Sequence, residues 1–170
     1  MVFSFEPDAV FYFAHQDEFT EVAAHPARLV AEGLDLPSRH LADVVQIAGV
    51  QDGMAPGAIA SALRQHQTEM LSAVYRTIVD DCRIRGINPV YVYLHIPGGE
   101  GENLAEKLMP LAEEAGFIAC DLSDWAEGRT LDELFGAVDG EHPDKRGHAL
   151  IADALIRLVE SRPEVLPPTE

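Results

Sequence analysis

Residues 8–14 read Asp-Ala-Val-Phe-Tyr-Phe-Ala and follow Pro7. A continuous apolar run of this kind is typical of a strand buried on both faces, as in a parallel sheet. The run ends in the polar stretch His15-Gln16-Asp17-Glu18, where a strand should pass into a loop. Because the run is so apolar, it predicts a strand in the middle of a sheet rather than at an edge.

Two further runs resemble this one, and helical segments separate the three. The second is Pro89-Val-Tyr-Val-Tyr-Leu-His-Ile96, and the third is Phe117-Ile-Ala-Cys-Asp121. Between the first and second runs, the pattern predicts broken helices over 19–50, with a short helix at 40–48, and then a long helix from Pro56 to Cys82. A further helix is predicted from Asn103 to Ala115. After the third run, the pattern predicts a helical turn at 131–135 and a last helix over 144–159. Alternating strands and helices predict a parallel sheet covered on both faces, with ligands bound beyond the carboxyl ends of its strands.

Composition limits the classes of partner. The formal net charge is -17, from 12 Lys and Arg against 29 Asp and Glu. This balance argues against nucleic acid or an anionic membrane surface, because both need clustered cations. No apolar stretch is long enough to predict a membrane span. The two cysteines, Cys82 and Cys120, form no CxxC pair, which favours a structural role for each.

The chain has the length of one domain. We expect that domain over residues 1–162. Residues 163–170 contain three prolines and are predicted to be a disordered tail.

The motif with the clearest chemistry lies near the end of the chain. Asp139-Gly-Glu-His142-Pro143 precedes Gly147-His-Ala-Leu-Ile-Ala152 on the amphipathic last helix. A catalytic triad needs an imidazole that takes the serine proton and a carboxylate that orients the imidazole. Asp139 and His142 are three residues apart on one turn, so the carboxylate can reach the ring locally. Without context, however, this spacing also arises by chance in surface turns.

The context resembles the closing block of SGNH (GDSL-like) hydrolases, and the likeness runs over roughly residues 6–160. Residues 7–17 resemble the family's strand that ends in Gly-x-Asn-Asp, with Ala14 in place of the glycine and Gln16 in place of the asparagine. The resemblance implies a flavodoxin-like three-layer α/β/α fold and a serine esterase or lipase that uses no cofactor. It also implies that Asp139 and His142 are catalytic. The same likeness makes Gln16 a tentative oxyanion donor. The substrate would be a small-molecule, lipid or sugar ester.

The family's Gly-Asp-Ser block has no counterpart here. None of the serines follows a strand in such a setting, and Ser123 in Asp-Leu-Ser-Asp is better explained as a turn residue. In the family, the first two strands lie beyond the strand that resembles residues 8–14. We therefore expect a partial domain, inactive alone, whose N-terminal strands are missing and whose bare sheet edge can pair with another segment.

Two alternatives stay open. Ala14-His-Gln-Asp-Glu18 resembles the Ala-His-Pro-Asp-Asp-Glu motif of zinc-dependent N-acetylglucosaminyl deacetylases, so His15, Asp17 and a later histidine such as His142 could bind zinc. The other alternative is a non-catalytic remnant or partner subunit.

Overall fold

The structure is a computed structural model that describes residues 6–96, 103–135 and 142–166. These residues form an α/β fold around a parallel sheet of three strands, which confirms the predicted class. The strands are Ala9–Ala14 (β1), Asn88–Tyr93 (β2) and Ile118–Asp121 (β3), in the spatial order β1-β2-β3. In the register of the sheet, Tyr12 lies beside Tyr91, and Tyr91 lies beside Ala119.

Eight helices connect and cover the strands in the described part of the chain. They are Asp17–Glu21 (α1), Ala24–Ala31 (α2), Arg39–Ile47 (α3), Pro56–Arg64 (α4), Gln67–Ile84 (α5), Ala105–Ala115 (α6), Leu131–Leu134 (α7) and Lys145–Ser161 (α8). The predicted long helix from Pro56 to Cys82 is therefore wrong, because the chain leaves the helical conformation at His66. The break lets α4 pack against α2 while α5 packs against the sheet.

The two faces of the sheet bury different apolar clusters. On one face, side chains of the strands pack with α5 and α6 around Tyr75, Tyr91 and Leu108. On the other face, Val90, Val92 and Cys120 pack with α7 and α8. A third cluster joins α2, α3, α4 and the first half of α5. Successive side chains of a strand point to opposite faces, so each strand contributes apolar side chains to both faces of the sheet. For this reason the strands appear in the sequence as continuous apolar runs.

Strand β1 lies at an edge of this sheet. Within the described residues it pairs with β2 alone. Its Phe13 side chain is 45% exposed, whereas all but the first residue of β2 are buried. The apolar strand β1 thus occupies an edge of the described sheet. This position agrees with the expected bare sheet edge, whereas the expected central position of the strand is not seen in the described residues.

Two smaller expectations have clear outcomes. Cys82 and Cys120 are both buried, in agreement with the structural role predicted for them, and both are free cysteines. The segment after Pro163 begins in contact with the domain, because Val165 is fully buried and the Asn88 side chain donates to the Glu164 carbonyl at 3.3 Å. Residues 167–170 lie outside the described part. No described helix has both the length and the apolar character needed to cross a membrane.

Candidate functional site

The turn that carries His142 is built onto the start of α8. Pro143 forms an antiparallel bridge with Phe135, and the Asp144 amide donates to the Leu134 carbonyl at 2.8 Å. The Asp144 carboxylate then caps the helix by accepting from the amides of Arg146 at 2.7 Å and of Gly147 at 3.0 Å. These bonds fix the backbone on the C-terminal side of His142, whose side chain is exposed.

Position 147 requires a glycine because the start of α8 approaches Leu134 and Pro143 closely there. A Cβ at position 147 would lie 2.5 Å from the Leu134 carbonyl oxygen and 2.8 Å from the Pro143 Cβ. The glycine of the Gly-His-Ala-Leu-Ile-Ala sequence therefore lets α8 pack against the segment that precedes it.

Asp139, the predicted partner of His142, lies outside the described residues. The catalytic roles of Asp139 and His142 therefore stay predictions.

Gln16 lies beyond the carboxyl end of β1, as its position in the sequence predicts. Its side-chain amide forms two hydrogen bonds with the backbone of Ile96, which lies beyond the end of β2. The Gln16 Nε2 donates to the Ile96 carbonyl at 3.2 Å, and the Ile96 amide donates to Gln16 Oε1 at 3.1 Å. Gln16 is 3% exposed. The amide thus ties two strand ends together, and its tentative role as an oxyanion donor stays a prediction.

Trp125 and His95 complete this end of the sheet. The Trp125 indole donates to the His95 carbonyl at 2.8 Å, and Trp125 packs in the same apolar cluster as Phe135. Among the described residues, the buried His95 Nδ1 meets no hydrogen-bond partner. Ser123 lies in a turn in which its amide donates to the Asp121 carboxylate at 2.8 Å, in agreement with the turn interpretation.

The zinc alternative needs three ligands close together. His15 and Asp17 are neighbours, with His15 Nδ1 lying 3.5 Å from an Asp17 carboxylate oxygen. In the described ranges, however, no group of three His, Cys, Asp or Glu side chains is arranged to hold a metal ion. The described residues therefore do not supply the ligand set that this alternative requires.

A second polar centre lies on the other face of the sheet. The Glu18 carboxylate accepts hydrogen bonds from the hydroxyls of Tyr12 and of Tyr75, the latter at 2.9 Å. The Tyr91 hydroxyl lies 3.4 Å from the carboxylate and 3.0 Å from the Tyr75 hydroxyl. We call these four residues the Glu18 cluster.

Burial dominates the electrostatics of the Glu18 cluster. It raises the pKa of Glu18 above its ordinary value, and the hydrogen bonds from the three tyrosines oppose that rise because they favour the charged form. Burial and the charge of Glu18 together raise the pKa of each tyrosine hydroxyl. All three phenols therefore remain protonated donors at neutral pH.

The Glu18 cluster borders an apolar groove of about 520 Å³ beside β1, which we call the β1 groove. Strand β1 forms one wall with Tyr12, Phe13 and Ala14. The other lining residues come from α1, α2, α3, α5 and the loops next to α1 and α3. They are His15, Glu18, Glu21, Val22, His25, Pro26, Leu29, Pro37, Leu41, Leu71, Val74, Thr77 and Ile78. This groove was not predicted from the sequence. The available signal was a glutamate placed just after an apolar strand that itself contains a tyrosine.

The chain matches no protein-family model, no curated protein and no solved structure. Its function must therefore be inferred from its own residues and their geometry.

Proposed function

We propose that this chain is the acid–base part of an SGNH-type ester hydrolase, with a flavodoxin-like α/β/α arrangement that a serine-bearing segment completes. One observation carries the proposal. The Asp-x-x-His-Pro sequence is followed by a helix start that is fixed by Asp144 and Gly147, in an α/β chain with three parallel strands in sequential order. That arrangement is what the family resemblance implies for the closing part of the domain.

The proposed reaction is acyl transfer to serine followed by hydrolysis. His142 takes the serine proton as the hydroxyl attacks the ester carbonyl, and then gives that proton to the departing alcohol. Asp139 orients the imidazole and stabilises its charged form. Gln16 has a second Nε2 hydrogen besides the one that bonds to Ile96, and this hydrogen is the donor that the oxyanion role would use. The reaction needs no cofactor, and the ester is a small-molecule, lipid or sugar ester.

In this proposal the serine belongs to another segment, because the described serines lack a setting that would activate them. Ser123, for example, lies in the Asp121 turn. The bare edge of β1 is where a strand of the missing segment would pair, since it offers unpaired backbone groups to a neighbour.

Ester hydrolysis by a joined protein tests this proposal. The chain is produced together with the segment encoded immediately before Met1, and kcat/KM is measured with p-nitrophenyl acetate and longer acyl esters. We expect a Gly-Asp-Ser sequence in that segment, and a loss of at least about 10³-fold in kcat/KM for His142→Ala. His148→Ala is the matched control, because His148 is exposed one turn into the same helix and should change little. An upstream segment without such a serine, or equal rates for the two variants, would refute the proposal.

A further inference from the structure

The β1 groove joins an open strand edge to an apolar cavity. Tyr12, Phe13 and Ala14 form its strand wall, and no described strand pairs with the outer edge of β1. A compact apolar ligand could fill the cavity but would leave the backbone amides and carbonyls of that edge without partners. An extended polypeptide satisfies both, because its backbone pairs with β1 while alternate side chains enter the groove.

The charges of the groove restrict the partner further. Its described lining includes Glu18, Glu21 and the histidines His15 and His25, but no Lys or Arg. In the described part of the chain, Glu18 forms hydrogen bonds with tyrosines and no ion pair with a Lys or Arg side chain. A carboxylate in such apolar surroundings is stabilised by a cation that reaches it. The net charge of -17 disfavours a second copy of this chain as that partner.

Strand geometry indicates where the cation would lie. Neighbouring strands are roughly 4.8 Å apart, and side chains at paired positions lie next to each other on the same face. A residue paired with Tyr12 on its free side therefore extends alongside Tyr12, whose hydroxyl contacts Glu18. A long cationic side chain at that one position reaches the carboxylate, whereas the residues two positions before and after it enter the same groove and face its apolar lining.

We propose that the β1 groove receives an extended polypeptide segment that fills it with apolar side chains and pairs one lysine or arginine with Glu18. The identification of this segment with the serine-bearing one rests on the proposed function. The recognition chemistry itself depends only on β1, the groove and the Glu18 cluster.

A short peptide probe tests the recognition directly. The probe is Thr-Thr-Val-Val-Lys-Val-Val-Thr-Thr with blocked ends, which reads the same in both directions and so can pair in either orientation. Its comparison peptide has Glu in place of the central Lys. Each is titrated into isotopically labelled chain while the amide signals of residues 9–14 are followed by NMR. We expect the β1 amides to shift and the Lys peptide to bind about tenfold more tightly than the Glu peptide.

Variants of the chain separate the local charge from the overall charge. In Glu18→Gln the preference for the Lys peptide should largely disappear. In Glu113→Gln, which removes an exposed charge on α6, the preference should persist. The proposal is overturned if the β1 amides do not shift, if both variants keep the same preference, or if the chain instead dimerises through β1. Because no ester is cleaved, failure here is distinct from failure of the hydrolase proposal.

Discussion

Glu18 combines partial burial with hydrogen bonds from three tyrosines, two of which are far away in the sequence. The partners are 6, 57 and 73 residues distant along the chain. Their hydroxyls hold the carboxylate in one orientation at the wall of the β1 groove. Charge on Glu18 is nevertheless unfavourable overall, since burial raises its pKa.

This raised pKa predicts how stability depends on pH. A carboxyl whose pKa is higher in the folded state binds its proton more tightly there, so stability falls as pH rises through that raised pKa. Glu18→Gln removes the titration and keeps an acceptor for the tyrosines. We therefore expect the variant to gain stability relative to the parent between pH 4 and pH 8, as measured by urea unfolding at each pH.

Glu133→Gln is a control of opposite sign. A hydrogen bond from the Thr130 amide lowers the pKa of Glu133, so its charged form favours the folded state. Relative to the parent, this variant should lose stability as pH rises through the lowered folded-state pKa to the ordinary glutamate value of 4.5, and its deficit should then stay constant at higher pH. If both variants follow the same trend, the assigned role of burial at Glu18 is wrong.

Gly147 gives a second prediction for a single residue. Gly147→Ala forces a methyl group against the Leu134 carbonyl and Pro143, and overpacking of this kind costs about 1–3 kcal/mol. Gly57→Ala is the matched control in α4, where an added Cβ meets open space and should be neutral or stabilising by up to about 1 kcal/mol. Urea midpoints of the two variants provide the comparison. Equal stability of both would contradict the close packing at the start of α8.

For the helices and strands, the start of α8 is the feature that positions His142. The Asp144 carboxylate satisfies two amides at the helix start, and the hydrogen bond from the Gly147 amide is the main cause of its lowered pKa. A depressed pKa means that the stabilisation is present at neutral pH and is lost as pH falls through the folded-state pKa.

Two substitutions at Asp144 separate capping from charge. Asp144→Asn keeps an acceptor for the cap, whereas Asp144→Ala removes it. At pH 7 the urea midpoint should fall in the order parent, Asn variant, Ala variant. The gap between the parent and the Asn variant should stay constant from pH 7 to pH 4 and narrow only as the pH is lowered below the ordinary aspartate value of 3.8, while the Ala variant stays below both. An Ala variant as stable as the parent would mean that this cap does not hold the turn.

Most of the elements could be predicted because their signals are local. The apolar runs predict β1, β2 and β3 to within a few residues, and Asp144 and Gly116 mark a helix start and a helix end. The break between α4 and α5 was not predicted, since the apolar stripe continues across it into one shared cluster. The Glu18 cluster was missed for another reason. It depends on the register of β1 against β2 and on the rotation of α5, and no local pattern specifies either.

The described residues form an α/β domain whose three-stranded parallel sheet has β1 at an edge, with no described strand beside it. Gln16, His95 and Trp125 lie together at the carboxyl end of the sheet. The last described helix begins just after His142. In the proposed hydrolase these features would serve as the base and its scaffold, while none of the described serines has a setting that would make it a nucleophile. The central claim is therefore that the nucleophile belongs to a segment that completes the sheet.

Labelling with a fluorophosphonate tests that claim most directly, because the reagent modifies only activated serines. Intact and peptide mass spectra are recorded for the 170-residue chain and for the chain joined to the segment encoded before Met1. We predict no adduct on the chain alone and one adduct in the joined protein, on the serine of a Gly-Asp-Ser sequence. An adduct on Ser123 or any other serine of residues 1–170, or a joined protein without an adduct, would contradict the account.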